Sequence, residues 1–196
     1  MPEPTPELRV MVVDSDAQRS RQLRGALTLA GYHVVAELRE SLDLPDAVKG
    51  LKPHIVIVAA DSPDRDTLEH ISLTTRDAPR PVVMFTQDGA SDTIRAAVRA
   101  GVSAYVVDGL APERIRSILE VACARFEAHQ ELAGRLAETE RKLAERQRVE
   151  KAKGLLMQRR GLTEAQAHKE LRQLAMSTGK TLGEVAETLI AAAHLL

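Results

Sequence analysis

The sequence predicts an α/β protein: a five-stranded, parallel, doubly wound domain, then a long coiled-coil helix and a C-terminal module of three helices. Three observations predict it. Five short β-branched runs alternate with helical segments in the first two thirds of the chain, and such alternation implies a parallel sheet covered on both faces. No proline follows Pro112 as far as Arg160, and the residues between are mostly strong helix formers. Two capping boxes, Thr163 with Gln166 and Thr181 with Glu184, then open two further helices.

The elements follow in order. Arg9 to Val13 is the first strand, closed by the acidic turn Asp14, Ser15, Asp16. Ala17 to Ala30 has helical spacing and stops at Gly31. His33 to Ala36 is the second strand, and Asp46 to Leu51 a short helix. Ile55 to Ala59 is apolar throughout, as a strand buried on both faces must be. Asp64 to Thr75 reads as helix and Pro81 to Thr86 as the fourth strand. Ser91 to Ala100 is a helix closed by Gly101, and Ala104 to Val107 the last strand. In open parallel sheets the loops at the carboxyl ends of the strands build the site. Here those loops carry Asp14, Asp16, Asp61, Thr86 and Asp108.

Composition narrows the function. The single cysteine, Cys123, excludes an internal disulfide and fits a reducing compartment. No apolar run reaches the roughly 20 residues of a membrane helix, and the acidic, Pro-rich start is unlike a signal peptide, so a cytoplasmic protein is expected. The net charge of −1 conceals an asymmetry. Residues 1–130 carry 15 basic and 19 acidic side chains, whereas Arg146 to Lys180 hold 9 basic and 3 acidic. A basic segment on a near-neutral chain points to an anionic partner. No nucleophile–base pair, Gly-rich phosphate loop or Cys/His metal spacing is present, so neither an enzyme nor a metal or cofactor protein is expected.

Residues 8–122 resemble the receiver domain of bacterial response regulators. Receivers hold Mg²⁺ on acids after the first strand and accept a phosphoryl group on an Asp ending the third. A Ser or Thr after the fourth strand and a Lys after the fifth complete the switch. Asp14 and Thr86 match. The second acid is Ser15, the Lys position, before Gly109, is Asp108, and the acceptor position, four residues before Pro63, is Ala59. Asp61 is an unlikely substitute acceptor: two residues of extended chain displace it by about 6–7 Å, and in-line transfer tolerates about 1 Å. The resemblance therefore implies a pseudo-receiver without a phosphoacceptor. Asp14, Asp16, Asp61, Thr86 and Asp108 remain as a residual acidic pocket in which a hard cation is chemically possible.

The long helix carries Leu132, Leu136 and Leu143 at heptad core positions, with Ile118 in phase upstream. Three leucines in register on a charged helix want burial, so a homodimer through this coiled coil is expected. The helix ends in the stretch EKAKGLLMQRRG, Glu150 to Gly161. In it Leu155, Leu156 and Met157 are expected in the core of the module. Ala167, Leu171, Leu174 and Ala175, then Leu182, Val185, Ala186, Leu189 and Ile190, are expected to face them.

The runs AKGLLMQRRGLTEAQAH (152–168), LRQLAM (171–176) and TLGEVAETLI (181–190) resemble the ANTAR domain, the RNA-binding output module of AmiR/NasT-type transcription antiterminators. The order pseudo-receiver (1–122), coiled-coil linker helix (123–147) and ANTAR module (148–196) is similar to the NasT subgroup. The resemblance implies binding to a leader RNA of two small hairpins with hexanucleotide loops, which prevents a downstream terminator. It also implies control by a nitrate-sensing partner of the NasS type over nitrate and nitrite assimilation genes. His168 departs from the family, which commonly has an aromatic residue there. The candidate RNA-binding residues are Lys151, Lys153, Gly154, Gln158, Arg159, Arg160, Lys169, Arg172 and Lys180, as phosphate neutralisers, amide or close-approach positions. No Phe, Tyr or Trp follows Phe126, which excludes aromatic platforms of the RRM or OB kind. The competing reading is a DNA-binding response-regulator-like transcription factor, against which stands the lack of a helix-turn-helix pattern.

Overall fold

A computed structural model describes residues 8–108 and 112–194; the acidic residues 1–7 and Gly109 lie outside the described residues. The chain divides between Gln130 and Glu131 into two compact units. That division falls inside the helix expected as a linker.

The first unit is a five-stranded parallel sheet in the order β2-β1-β3-β4-β5. Its strands are β1 (Arg9–Asp14), β2 (His33–Leu38), β3 (Ile55–Ala59), β4 (Val82–Thr86) and β5 (Ala104–Val107). Strict alternation sorts the side chains onto two faces. Val10, Val12, Ile55 and Ile57 pack with Leu23 and Leu27 of α1 (Ala17–Leu29) and with Ile115, Leu119 and Ala122 of α5 (Pro112–Arg160). Met11, Val13, Val56 and Val58 pack on the other face with Leu44 and Val48 of α2 (Leu44–Leu51), Ile71 of α3 (Arg65–Asp77) and Ala97 of α4 (Ser91–Arg99). Every residue of the central strands β3 and β4 is buried, which is why those runs carry no alternation in the sequence.

Local chemistry sets the boundaries. The Asp16 carboxylate caps α1, accepting from the backbone N–H groups of Gln18 and Arg19 at 2.7 and 3.1 Å. The Asp64 carboxylate caps α3 through the N–H of Thr67 at 2.7 Å. The second helix starts at Leu44, not Asp46, because Pro45 sits in its first turn, where a missing N–H costs nothing. After α4, Gly101 has φ +99°, and a Cβ there would lie 2.6 Å from Thr75 Oγ1, so only glycine fits. Ile118, in phase with the downstream leucines, packs against the sheet-side core and is no part of a coiled-coil seam.

The second unit contains the distal part of α5, α6 (Glu164–Thr178) and α7 (Leu182–His194). Both capping boxes form. The Thr163 N–H donates to Gln166 Oε1 at 2.9 Å and the Thr181 N–H to Glu184 Oε2 at 2.7 Å, with the reciprocal bonds at 3.3 Å. Gly161 and Gly179 take left-handed conformations at the two helix stops, as C′ glycines do. The core is Val149, Ala152, Leu156, Ala167, Leu171, Val185 and Ala186, with Leu182, Ala175, Leu189 and Ile190 packed at its edge. Two expectations change here. Leu174 is 43% exposed and Met157 39% exposed, so neither belongs to the core. Burial recurs at positions 149, 152 and 156 of α5, a helical stripe that includes Leu156 but turns Leu155 to its margin and Met157 outward.

Candidate functional site

Two charged regions require separate description, one in each unit. In the first, the parallel register puts Asp14 beside Ala59 at the carboxyl edge of the sheet. The Asp14 side chain is fully buried. Its partner is Arg19, one turn into α1. Arg19 Nε donates to Asp14 Oδ2 at 2.9 Å and Arg19 NH2 to Oδ1 at 2.8 Å, a two-pronged pair. The third nitrogen, NH1, pairs with Asp61. The hydrogen bond to Asp14 holds the guanidinium pKa above its ordinary value; partial burial opposes this, and Asp61 adds to it. The acidic pocket is thus occupied by the chain's own cation. The sequence signal for Arg19 is a basic residue three positions after an Asp N-cap, on the helix turn nearest the end of β1.

The other pocket residues separate. Asp16 is turned to cap α1, and its hydrogen bonds to the Arg19 and Gln18 backbone lower its pKa. Thr86 Oγ1 donates to the Asp61 carbonyl at 2.9 Å and accepts from the Asp88 N–H at 3.1 Å. Asp108 is exposed, in a left-handed conformation at φ 53°, and among the described residues joins the set only through its backbone N–H to the Thr86 carbonyl at 3.2 Å. The five residues therefore do not converge as one carboxylate site. Among the described residues no group of three His, Cys, Asp or Glu side chains is arranged to hold a metal.

In the second unit the basic stretch divides by use. Lys153 is 7% exposed and lies between two carboxylates, Glu164 at 2.7 Å and Glu150 at 2.9 Å. Those bonds, with Glu164 first, raise the ammonium pKa, and Lys153 in turn lowers that of Glu164. Lys153 therefore ties α5 to α6, with two of its three ammonium donors engaged and little of its surface exposed. Arg160 pairs with Glu170 of α6. Arg159 NH2 donates to the Ala193 carbonyl near the end of α7 at 2.8 Å, where a cation suits the helix C-terminus. Of the four cations in EKAKGLLMQRRG, only Lys151 is exposed without an ion pair or hydrogen bond among the described residues.

Three more unpaired cations lie on α6 and the turn after it. Lys169, Arg172 and Lys180 are exposed and form no ion pair among the described residues. His168, Lys169, Arg172 and Met176 share about 100° of the α6 surface at 100° per residue. Gln158 and Gly154 are exposed on α5, and a Cβ at Gly154 would meet nothing within 4 Å, so internal packing does not require that glycine. By helical phase Gly154 and Met157 fall within about 40° of the line of Leu132, Leu136 and Leu143. Those leucines are 65%, 60% and 56% exposed.

A two-faced parallel sheet with this strand order, a threonine ending β4 and an acid-rich carboxyl edge define the first unit as a response-regulator receiver. Comparison with known proteins agrees. Residues 10–120 match the response regulator receiver domain and residues 137–190 the ANTAR domain. The chain is 30% identical over 182 residues to the transcriptional regulatory protein PdtaR of Mycobacterium tuberculosis, covering 93% of this chain and 89% of that one. A shorter match, 41% identical over 68 residues, is to the nitrate regulatory protein of Klebsiella oxytoca, covering 34% of this chain and 17% of that one. Among solved structures, a pilus assembly-related protein of Burkholderia pseudomallei superposes with a TM-score of 0.55 at 25% identity, over 60% of this chain and 90% of that one. The chain belongs to the receiver–ANTAR family of transcriptional regulators, NasT-like RNA-binding antitermination proteins. No helix among the described residues is long and apolar enough to cross a membrane.

Proposed function

We propose that two copies of the chain pair along α5 and present two ANTAR modules to the two hairpins of a leader RNA, which keeps a downstream terminator from forming. The protein acts in the cytoplasm, by binding and without catalysis. The observation that carries this reading is the basic face of α6, where Lys169 and Arg172, with Lys180 nearby, have no carboxylate partner among the described residues. Unneutralised cations beside ties that consume their neighbours suit phosphate contacts. Lys151, Gln158, Arg159 and Arg160 stand at the edge of the surface; each arginine has one nitrogen engaged, with Ala193 and Glu170 respectively, and two free to reach RNA among the described residues. The exposed leucines of α5 support pairing, and Gly154, in phase with them, allows a second helix to come close. Self-occupation of the pocket by Arg19 favours control by a docked protein over control by phosphate. The Klebsiella relative supports nitrate or nitrite assimilation as the setting, with a nitrate-binding protein of the NasS type as the docked inhibitor.

Crosslinking to cellular RNA followed by sequencing tests the reading. Paired hairpins with six-nucleotide loops upstream of nitrogen-assimilation transcripts are expected. Recovery of duplex promoter DNA in their place would overturn it in favour of a DNA-binding regulator. Sedimentation at tens of micromolar tests the pairing: a dimer is expected for the wild type and a monomer for Leu136→Arg.

A further inference from the structure

One groove of the second unit is not explained by phosphate contact. It measures about 390 Å³ and is lined by His168, Arg172, Ala175, Met176 and Leu182. Positions 168, 172 and 176 follow one another at intervals of four along α6, so their side chains form a row. The left-handed Gly179 and the bond from the Lys180 N–H to the Ala175 carbonyl at 3.1 Å turn the chain back, and Leu182 of α7 closes the far side. Met176 is 81% exposed, more than any other large apolar side chain of this unit among the described residues. An exposed thioether beside a guanidinium contributes nothing to the module's own core.

The chemistry of the lining is selective. An imidazole and a guanidinium each offer a flat face for stacking, a thioether adapts to an irregular partner, and Ala175 and Leu182 supply an apolar floor. Among the described residues no carboxylate lines the groove. Glu164, one turn before His168, is held by Lys153 at 2.7 Å, and Glu184, just past Leu182, bonds back to Thr181 at 2.7 and 2.9 Å. Both nearby acids are therefore bound elsewhere. Lys169 and Lys180 flank the groove, ready for the phosphates on either side of a bound residue. A base inside a duplex has both faces covered, so the matching ligand is a base from a single-stranded loop.

We propose that this groove is a stacking site for one unpaired nucleobase of the RNA loop, held between His168 and Arg172 against Met176. The inference rests on the RNA-binding reading above and deepens it by naming a subsite and its ligand. His168 then does by its ring face what an aromatic residue would do.

The experiment uses the full-length protein and a synthetic two-hairpin RNA with six-nucleotide loops, intact or with one abasic site at each loop position in turn. Wild-type protein failing to bind the intact RNA would defeat the functional reading itself. With binding established, His168→Ala and Arg172→Ala should each weaken it about tenfold, the range of a lost base–side-chain stack. His168→Phe, which keeps a flat face and loses the polar edge, should stay within about threefold of wild type. At one loop position the abasic RNA should lose affinity for the wild type yet lose almost nothing further with His168→Ala. The slope of affinity against salt should be unchanged by His168→Ala and reduced by about one by Lys169→Ala. Equal losses from His168→Phe and His168→Ala would overturn the stacking site. So would additive losses at every abasic position, which would make the groove a backbone contact. All three positions are exposed, and unchanged circular dichroism confirms that the variants fold.

Discussion

The two units handle surplus charge in opposite ways. In the receiver, acids gather at the carboxyl edge of the sheet, and one cation, Arg19, is folded in against them. In the ANTAR module cations dominate, and acids from α5 and α6, Glu150, Glu164 and Glu170, neutralise part of them. One unit closes the pocket that its sequence advertises. The other keeps a remainder, most of it on α6 and the turn after it, with Lys151 the one member of the basic α5 stretch left unpaired among the described residues. The lesson is that local charge density is a poor guide to a binding surface until the internal pairs are subtracted.

The largest expected effect separates the two units. Leu171 is fully buried in the module core, so Leu171→Ala should destabilise that unit by about 2–5 kcal/mol and abolish RNA binding. Calorimetry should show the receiver transition unmoved; a common shift in both transitions would break the two-unit description. Next is Arg19→Ala, which leaves the buried Asp14 carboxylate without its cation. Breaking a fully buried pair costs about 3–5 kcal/mol. Arg19 is 23% exposed, so about 2 kcal/mol is expected, seen as a lower receiver melting temperature. Millimolar Mg²⁺ should recover part of that loss in the variant and do nothing to the wild type. Stabilisation of the wild type by Mg²⁺ would show that Arg19 does not hold the pocket.

The smallest effect concerns acid. The caps Asp16 and Asp64 of the receiver, and Glu164 and Glu184 of the module, all have lowered pKa values. The causes are, in turn, backbone bonds to Arg19 and Gln18, bonds from Thr67, the bond from Lys153, and backbone and hydroxyl bonds from Thr181. A carboxylate whose folded pKa lies below its unfolded one stabilises the fold at pH values above the unfolded pKa. That contribution disappears as pH falls through the folded pKa. Melting temperatures should therefore be flat from neutrality to about pH 5 and decline below about pH 4, the ordinary carboxylate range. A decline beginning near pH 6 would implicate histidines instead.

Much of the fold was legible in the sequence, for physical reasons that differ by element. The buried strands β3 and β4 declare themselves by apolar runs, and the capping boxes fix the starts of α6 and α7 within a residue. Ile118 misled because heptad phase on α5 does not distinguish the sheet from a second helix as the thing that covers it. Less of the candidate site was legible. Lys153 and Lys169 are equal as letters, and only tertiary placement puts Glu164 against one and nothing against the other. Arg19 was harder to read for the same reason: Asp14 lies five residues back at a strand end, but Asp61 is 42 residues away.

The side-by-side register of Asp14 and Ala59 bears on how the pocket could be altered. Restoring an acceptor by Ala59→Asp alone would set a second carboxylate beside buried Asp14 while all three guanidinium nitrogens of Arg19 are already engaged. Removing Arg19 alone would strand Asp14. Each single step back toward phosphate signalling passes through a less stable protein, although the two together would reopen the pocket. Ala59 and Arg19 thus lock each other in place, a ratchet made of one alanine and one arginine.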